Sequence, residues 1–129
     1  MDTIIDPKLT YAVVGASADE SKYGHKVLKD LLDNGFKAIP VNPKEAEILE
    51  QKAYASLADI PHDVDVAVFV VPPPIALNVL KDDVLRKGIQ RVWMQPGSES
   101  DEAISFCKSN GIRYVAKMCI MIQRDLLQG

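Results

Sequence analysis

Tyr11-Ala12-Val13-Val14-Gly15-Ala16-Ser17-Ala18-Asp19-Glu20-Ser21-Lys22-Tyr23-Gly24 is the stretch that decides the fold. Its first four residues are apolar without alternation, the pattern of a parallel strand covered on both faces. The run stops at Gly15, crosses small residues and a polar tip, and enters a segment where Val27, Leu28, Leu31 and Leu32 recur at helical spacing. A buried strand that turns directly into a helix leaves the first helical amides open, and the helix dipole adds to their pull on an anion. Gly15 permits a sharp turn, and the small Ala16, Ser17 and Ala18 let a ligand approach the backbone. Ser17 offers a hydroxyl, Lys22 a charge and Tyr23 a stacking face, while Gly24 lets the helix lie close to the sheet. The loop is neither the three-glycine dinucleotide fingerprint nor a Walker A loop.

Working outward, one junction is repeated. Asn34-Gly35-Phe36, Lys87-Gly88-Ile89 and Asn110-Gly111-Ile112 each place a polar residue, a glycine and an apolar residue in order. This is the signature of a helix closed by a left-handed residue whose follower packs back on the last turn. Each junction leads into a strand-like run: Ala38–Val41, Arg91–Met94 and Arg113–Ala116. Ala76, Val79, Leu80 and Val84 mark a second helix, and Ala103, Ile104 and Cys107 a third, with Ser100 or Asp101 as its cap. Val66–Val71 is another continuously apolar strand. Between Pro43 and Pro61 the composition allows a helix at Ala46 to Gln51 and equally a short edge strand near Tyr54; a loop with the short strand is the expectation.

Strands alternating with helices predict one α/β domain over residues 1–129, a three-layer Rossmann-like fold. The expected parallel sheet has the order 3-2-1-4-5-6, with the Tyr54 segment as strand three. Ligands in such sheets lie beyond the carboxyl ends of the strands where strand order reverses. That rule selects the loops at 15–24, 41–44, 71–75 and 95–98.

Those loops narrow the ligand. An acidic residue that would bind a ribose diol is expected after strand two of an NAD site, but here stand Asn42 and, two residues on, Lys44. A neutral amide and a cation suit a phosphorylated ribose, as in NADP or CoA. Val71-Pro72-Pro73-Pro74 makes a stiff wall with few donors. Met94-Gln95-Pro96-Gly97-Ser98 repeats the theme, with Gln95 able to bond an amide-bearing ligand.

Taken together the motifs resemble the CoA-binding domain family, the stand-alone relatives of the amino-terminal domain of the succinyl-CoA synthetase α subunit. The resemblance rests on Val14–Ser17, Lys22-Tyr23-Gly24, Ile39–Lys44, Tyr54–Leu57, Ile60-Pro61 with Val64-Asp65, Val71–Pro74, Trp93–Ser98 and Cys119-Ile120-Met121, in family order along nearly the whole chain. It implies coenzyme A or an acyl-CoA as ligand. By motif it carries the binding role onto Gly15, Ala16, Ser17, Lys22, Tyr23, Gly24, Lys44, Val71, Pro72, Pro74, Gln95, Pro96 and Gly97. Asn42 joins them from its place in the strand-two motif.

Composition is consistent with that expectation. Of 129 residues 47% are apolar, enough for a core, and the net charge of −3 comes from mixed charges with no basic stripe for nucleic acid. No apolar run reaches membrane-spanning length, and no signal-peptide layout opens the chain, so a cytoplasmic location is expected. Cys107 and Cys119 have no metal or redox spacing. His25 and His62 are isolated, and no paired carboxylates, nucleophile–base set or metal cluster is visible, so the expectation is a binding module with no catalytic or metal-ligating residue. The alternatives are an NADP-binding oxidoreductase fragment and a non-catalytic module partnering an acyl-CoA synthetase-like subunit. Apolar residues in the Cys119–Leu127 tail leave a homodimer open.

Overall fold

A computed structural model describes residues 4–128. In chain order the elements are β1 (Thr10–Val14), α1 (Tyr23–Asp33), β2 (Lys37–Val41), β3 (Glu47–Ile48), β4 (Gln51–Lys52), a 3-10 turn (Leu57–Asp59) and β5 (Val66–Phe69). Then α2 (Pro73–Val79) runs through a π-helical turn (Leu80–Val84) into α3 (Leu85–Lys87). The chain ends with β6 (Arg91–Met94), α4 (Asp101–Ser109), β7 (Arg113–Ala116) and α5 (Ile120–Gln128).

Five strands form one parallel sheet in the order β2-β1-β5-β6-β7. Alternating side chains divide the core between its two faces. Tyr11, Val13, Val66, Val68 and Trp93 pack with Val27, Leu28 and Leu31 of α1 and Ile120 of α5. Ala12, Val14, Ala67, Phe69, Val92 and Met94 pack with Leu80, Val84, Ala103 and Cys107 from the helices of the other layer. This is the expected three-layer α/β fold, with order reversing between β1 and β5.

The three glycine junctions share one geometry. Phe36 N–H bonds Leu31 C=O at 2.9 Å, Ile89 N–H bonds Val84 C=O at 3.1 Å, and Ile112 N–H bonds Cys107 C=O at 2.9 Å. Gly35, Gly88 and Gly111 all have positive φ, and the apolar residue after each is buried. At the start of α4, Ser100 Oγ accepts the Ala103 N–H at 3.1 Å, so Ser100 rather than Asp101 is the cap.

Three local features differ from expectation. The edge strand near Tyr54 is a single parallel bridge to Val41, and β3 and β4 ahead of it form a separate antiparallel hairpin. The β5 strand ends at Phe69, because the Val71 N–H turns to the Ser98 hydroxyl. The segment after β7 is the helix α5, anchored by Ile120, which is fully buried. Among the described residues no helix is long and apolar enough to cross a membrane.

Candidate functional site

The carboxyl ends of the strands carry a cleft of about 760 Å³. One wall is Val70, Val71, Pro72 and Pro73 after β5, and a second is Gln95, Pro96, Gly97 and Ser98 after β6. Cys119, Met121 and Ile122 at the start of α5 form a third, and Tyr23 closes the side nearest the first loop. Pro73 and Pro74 open α2 without N–H groups, and the Ile75 and Ala76 N–H groups both return to Pro72 C=O, so this wall presents little but hydrocarbon.

Polar side chains hold the walls in place. Ser98, buried, donates its hydroxyl to Val71 C=O at 2.6 Å and accepts the Val71 N–H at 3.1 Å, locking two loops together. Gln95 is buried too: its Oε1 accepts the Ile120 N–H at 2.7 Å and its Nε2 lies 3.4 Å from Cys119 Sγ. The Gln95 amide therefore caps α5 from below the cleft and has both ends engaged. Trp93 Nε1 donates to Met118 C=O at 2.8 Å, and Lys117, with φ of 66°, turns the chain from β7 toward the cleft.

The first loop abuts this cleft. A Cβ on Gly15 would strike Val70 C=O and the Val71 side chain, and one on Gly24 would strike Gly15 C=O. Both positions therefore require glycine for close approach, and Gly15 also has φ of +99°. Lys22 precedes α1 with an exposed side chain and no side-chain cap. Ser17 Oγ accepts the Asp19 N–H at 3.1 Å, and Asp19 is tied to Ser21 through the Ser21 N–H and hydroxyl, which hold its carboxyl below its usual pKa. Beside the loop, Asn42 donates to Ala16 C=O at 2.8 Å and accepts the Lys44 N–H at 2.7 Å. The Lys44 side chain is exposed.

Of the residues selected from sequence, Tyr23, Val71, Pro72, Gln95, Pro96 and Gly97 line the cleft. Gly15, Ala16, Ser17, Lys22, Gly24, Asn42 and Lys44 form the adjoining loop and the end of β2, outside it. Pro74 lies outside the lining, while Pro73 belongs to it. Val70, Ser98, Met121 and Ile122 were not selected, though Ser98 and Met121 stand within the quoted family motifs. Cys119 reaches the cleft from the turn between β7 and α5. His25 is buried against Ser17, and His62 is exposed away from the cleft. Among the described residues no three His, Cys, Asp or Glu side chains gather as a metal site would require.

The sequence profile of the CoA-binding domain matches residues 9–125. An ADP-forming acetate–CoA ligase of Methanocaldococcus jannaschii is 40% identical over 106 residues, covering 82% of this chain and 15% of the ligase. The α subunit of ADP-forming acetate–CoA ligase II from Pyrococcus furiosus is 30% identical, covering 95% of this chain and 29% of that subunit. The chain thus spans less than a third of the length of these two curated relatives. Among solved structures, a conserved hypothetical protein from Pyrococcus furiosus superposes with a TM-score of 0.85 at 45% identity, covering 89% of this chain and 98% of that one. A profile match over most of the chain, on a fold with a cleft at the expected switch point, shows that the chain belongs to the CoA-binding domain family.

Proposed function

We propose that the chain holds coenzyme A or an acyl-CoA as a binding module, with the phosphates at the Gly15–Gly24 loop and the pantetheine arm in the apolar cleft. The observation that carries this reading is the continuity of the two features. A backbone loop with open amides, suited to phosphate, meets at Tyr23 an apolar cleft walled by prolines, suited to a long uncharged arm. Lys44, exposed at the end of β2 beside the loop, is the cation for the ribose phosphate. Family membership supports the same ligand class.

A thermal-shift comparison tests it. CoA is expected to raise the melting temperature, dephospho-CoA to raise it less, and NADPH to leave it unchanged. Protection by NADPH without protection by CoA would replace this reading with that of a dinucleotide-binding fragment. In Lys44→Ala the preference for CoA over dephospho-CoA should shrink; an unchanged preference removes Lys44 from the site.

The exposed side chains of Ile122, Leu126 and Leu127 on α5, with Met118 just before it, support a homodimer through α5. Light scattering should then give twice the monomer mass for the native chain and the monomer mass for Leu126→Glu. A native monomer throughout a concentration series excludes this association.

A further inference from the structure

We propose that His25 and Asn42 are positioning residues of the first loop, which hold two consecutive carbonyls inward so that two consecutive N–H groups face out toward a phosphate. This rests on the reading of the loop as a phosphate site.

No described peptide bond is cis, and in a planar trans peptide the C=O of one residue points opposite to the N–H of the next. Ala16 C=O accepts from Asn42 Nδ2 at 2.8 Å, which turns the Ser17 N–H away from Asn42. Ser17 C=O lies 2.9 Å from His25 Nδ1, which turns the Ala18 N–H away from His25. Among the described residues neither of these N–H groups has an acceptor.

Both clamps are fixed in orientation. Asn42 Oδ1 accepts the Lys44 N–H at 2.7 Å, so its NH₂ end is the end that faces Ala16. A carbonyl only accepts, so His25 Nδ1 carries the hydrogen, and the ring is buried at 6% exposure. Gly24 adds a third constraint by allowing α1 to seat directly on Gly15 C=O. The clamps come from the end of β2 and from α1, so the loop is held from two elements before any ligand arrives. Binding then costs less ordering of the backbone. Orientation matters the more because Asp19 and Glu20 put negative charge at the loop tip beside the exposed Lys22, so aligned backbone donors add to a cation that these carboxylates partly offset.

The test uses the full chain labelled with ¹⁵N and titrated with inorganic pyrophosphate and, separately, with CoA. In the native protein the Ser17 and Ala18 amide signals should move with both. His25→Phe, which keeps a ring but no donor, and Asn42→Leu should each lose about tenfold in CoA affinity. His25→Asn, which restores a donor near the Nδ1 position, should return to within about twofold of native affinity. If His25→Phe fails to fold, Asn42→Leu makes the same comparison at the other carbonyl. Ser17 and Ala18 amides that ignore both ligands overturn the proposal. So does a folded His25→Phe with native affinity, or a folded His25→Asn no better than His25→Phe. A pyrophosphate response at those amides without any binding of CoA keeps the positioning role and removes coenzyme A as the ligand.

Discussion

Gly24 shows how much of this protein is decided by single atoms. Adding one methyl there drives a Cβ into Gly15 C=O and close to Ala16 Cα, both backbone and neither able to yield as a side-chain end would. Gly24→Ala should therefore lower stability by about 1–3 kcal/mol, the usual cost of overpacking, read as a lower urea midpoint at unchanged slope. Tyr11 carries a different residue-scale prediction. Burial pushes its phenol up to about 12 from the ordinary 10.0, while its hydroxyl donates to Ile4 C=O and accepts the Asp6 N–H. Above pH 10 the unfolded chain releases this proton and the folded one keeps it, so its contribution is full below pH 10 and is lost as pH rises toward 12. Burial also pushes the Cys107 thiol up to about 11 from 9.0, which starts the decline from pH 9. Urea midpoints between pH 9 and 12 should fall, and less steeply in Tyr11→Phe. Sequence disclosed the glycines, because small residues at a strand–helix turn have few other uses. It did not disclose that Asn42 and Gln95 are spent on backbone groups, since Ala16 lies 26 positions from Asn42 and Ile120 25 positions from Gln95.

At the scale of elements, short-range signals were legible and long-range docking was not. The three helix ends were readable because each closes through residues five apart, and the α4 cap to within one residue because a cap and its amide are three apart. The helix α5 is held differently. Arg124, buried at 8% exposure, makes two bonds to the Asp30 carboxylate of α1, at 2.8 and 3.0 Å, across 94 positions of sequence. Its apolar spacing alone was not enough to mark it as a helix. Arg124→Ala leaves Asp30 without its bidentate partner and should cost about 2 kcal/mol, less than a fully buried pair because Asp30 stays partly exposed. Amide exchange should then accelerate in α5 before the sheet. The β3–β4 hairpin escaped notice because its two turn residues, Leu49 and Glu50, both have positive φ with no Asn-Gly signal. Leu49 packs on the core beside Ile48 and Ala53, so it stays for packing. Glu50→Gly should relieve the strain and stabilise by about 1 kcal/mol, measured by the same urea midpoint.

For the whole molecule, sheet order places the functional surface. Order reverses between β1 and β5, and the loops after these strands, with the one after β6 beside them, build the cleft and the loop proposed to take phosphate. That much follows from the alternation of strands and helices and the handedness of their crossovers. The third wall does not, because it requires α5 to fold back over the sheet and bring Cys119, Met121 and Ile122 to the cleft. The most direct measurement is an amide shift map of the native chain with saturating CoA. One connected set of perturbations is expected, running from Ser17, Ala18 and Tyr23 through Val71 and Gly97 to Ile122. Perturbations confined elsewhere on the surface, or none at all, would contradict it.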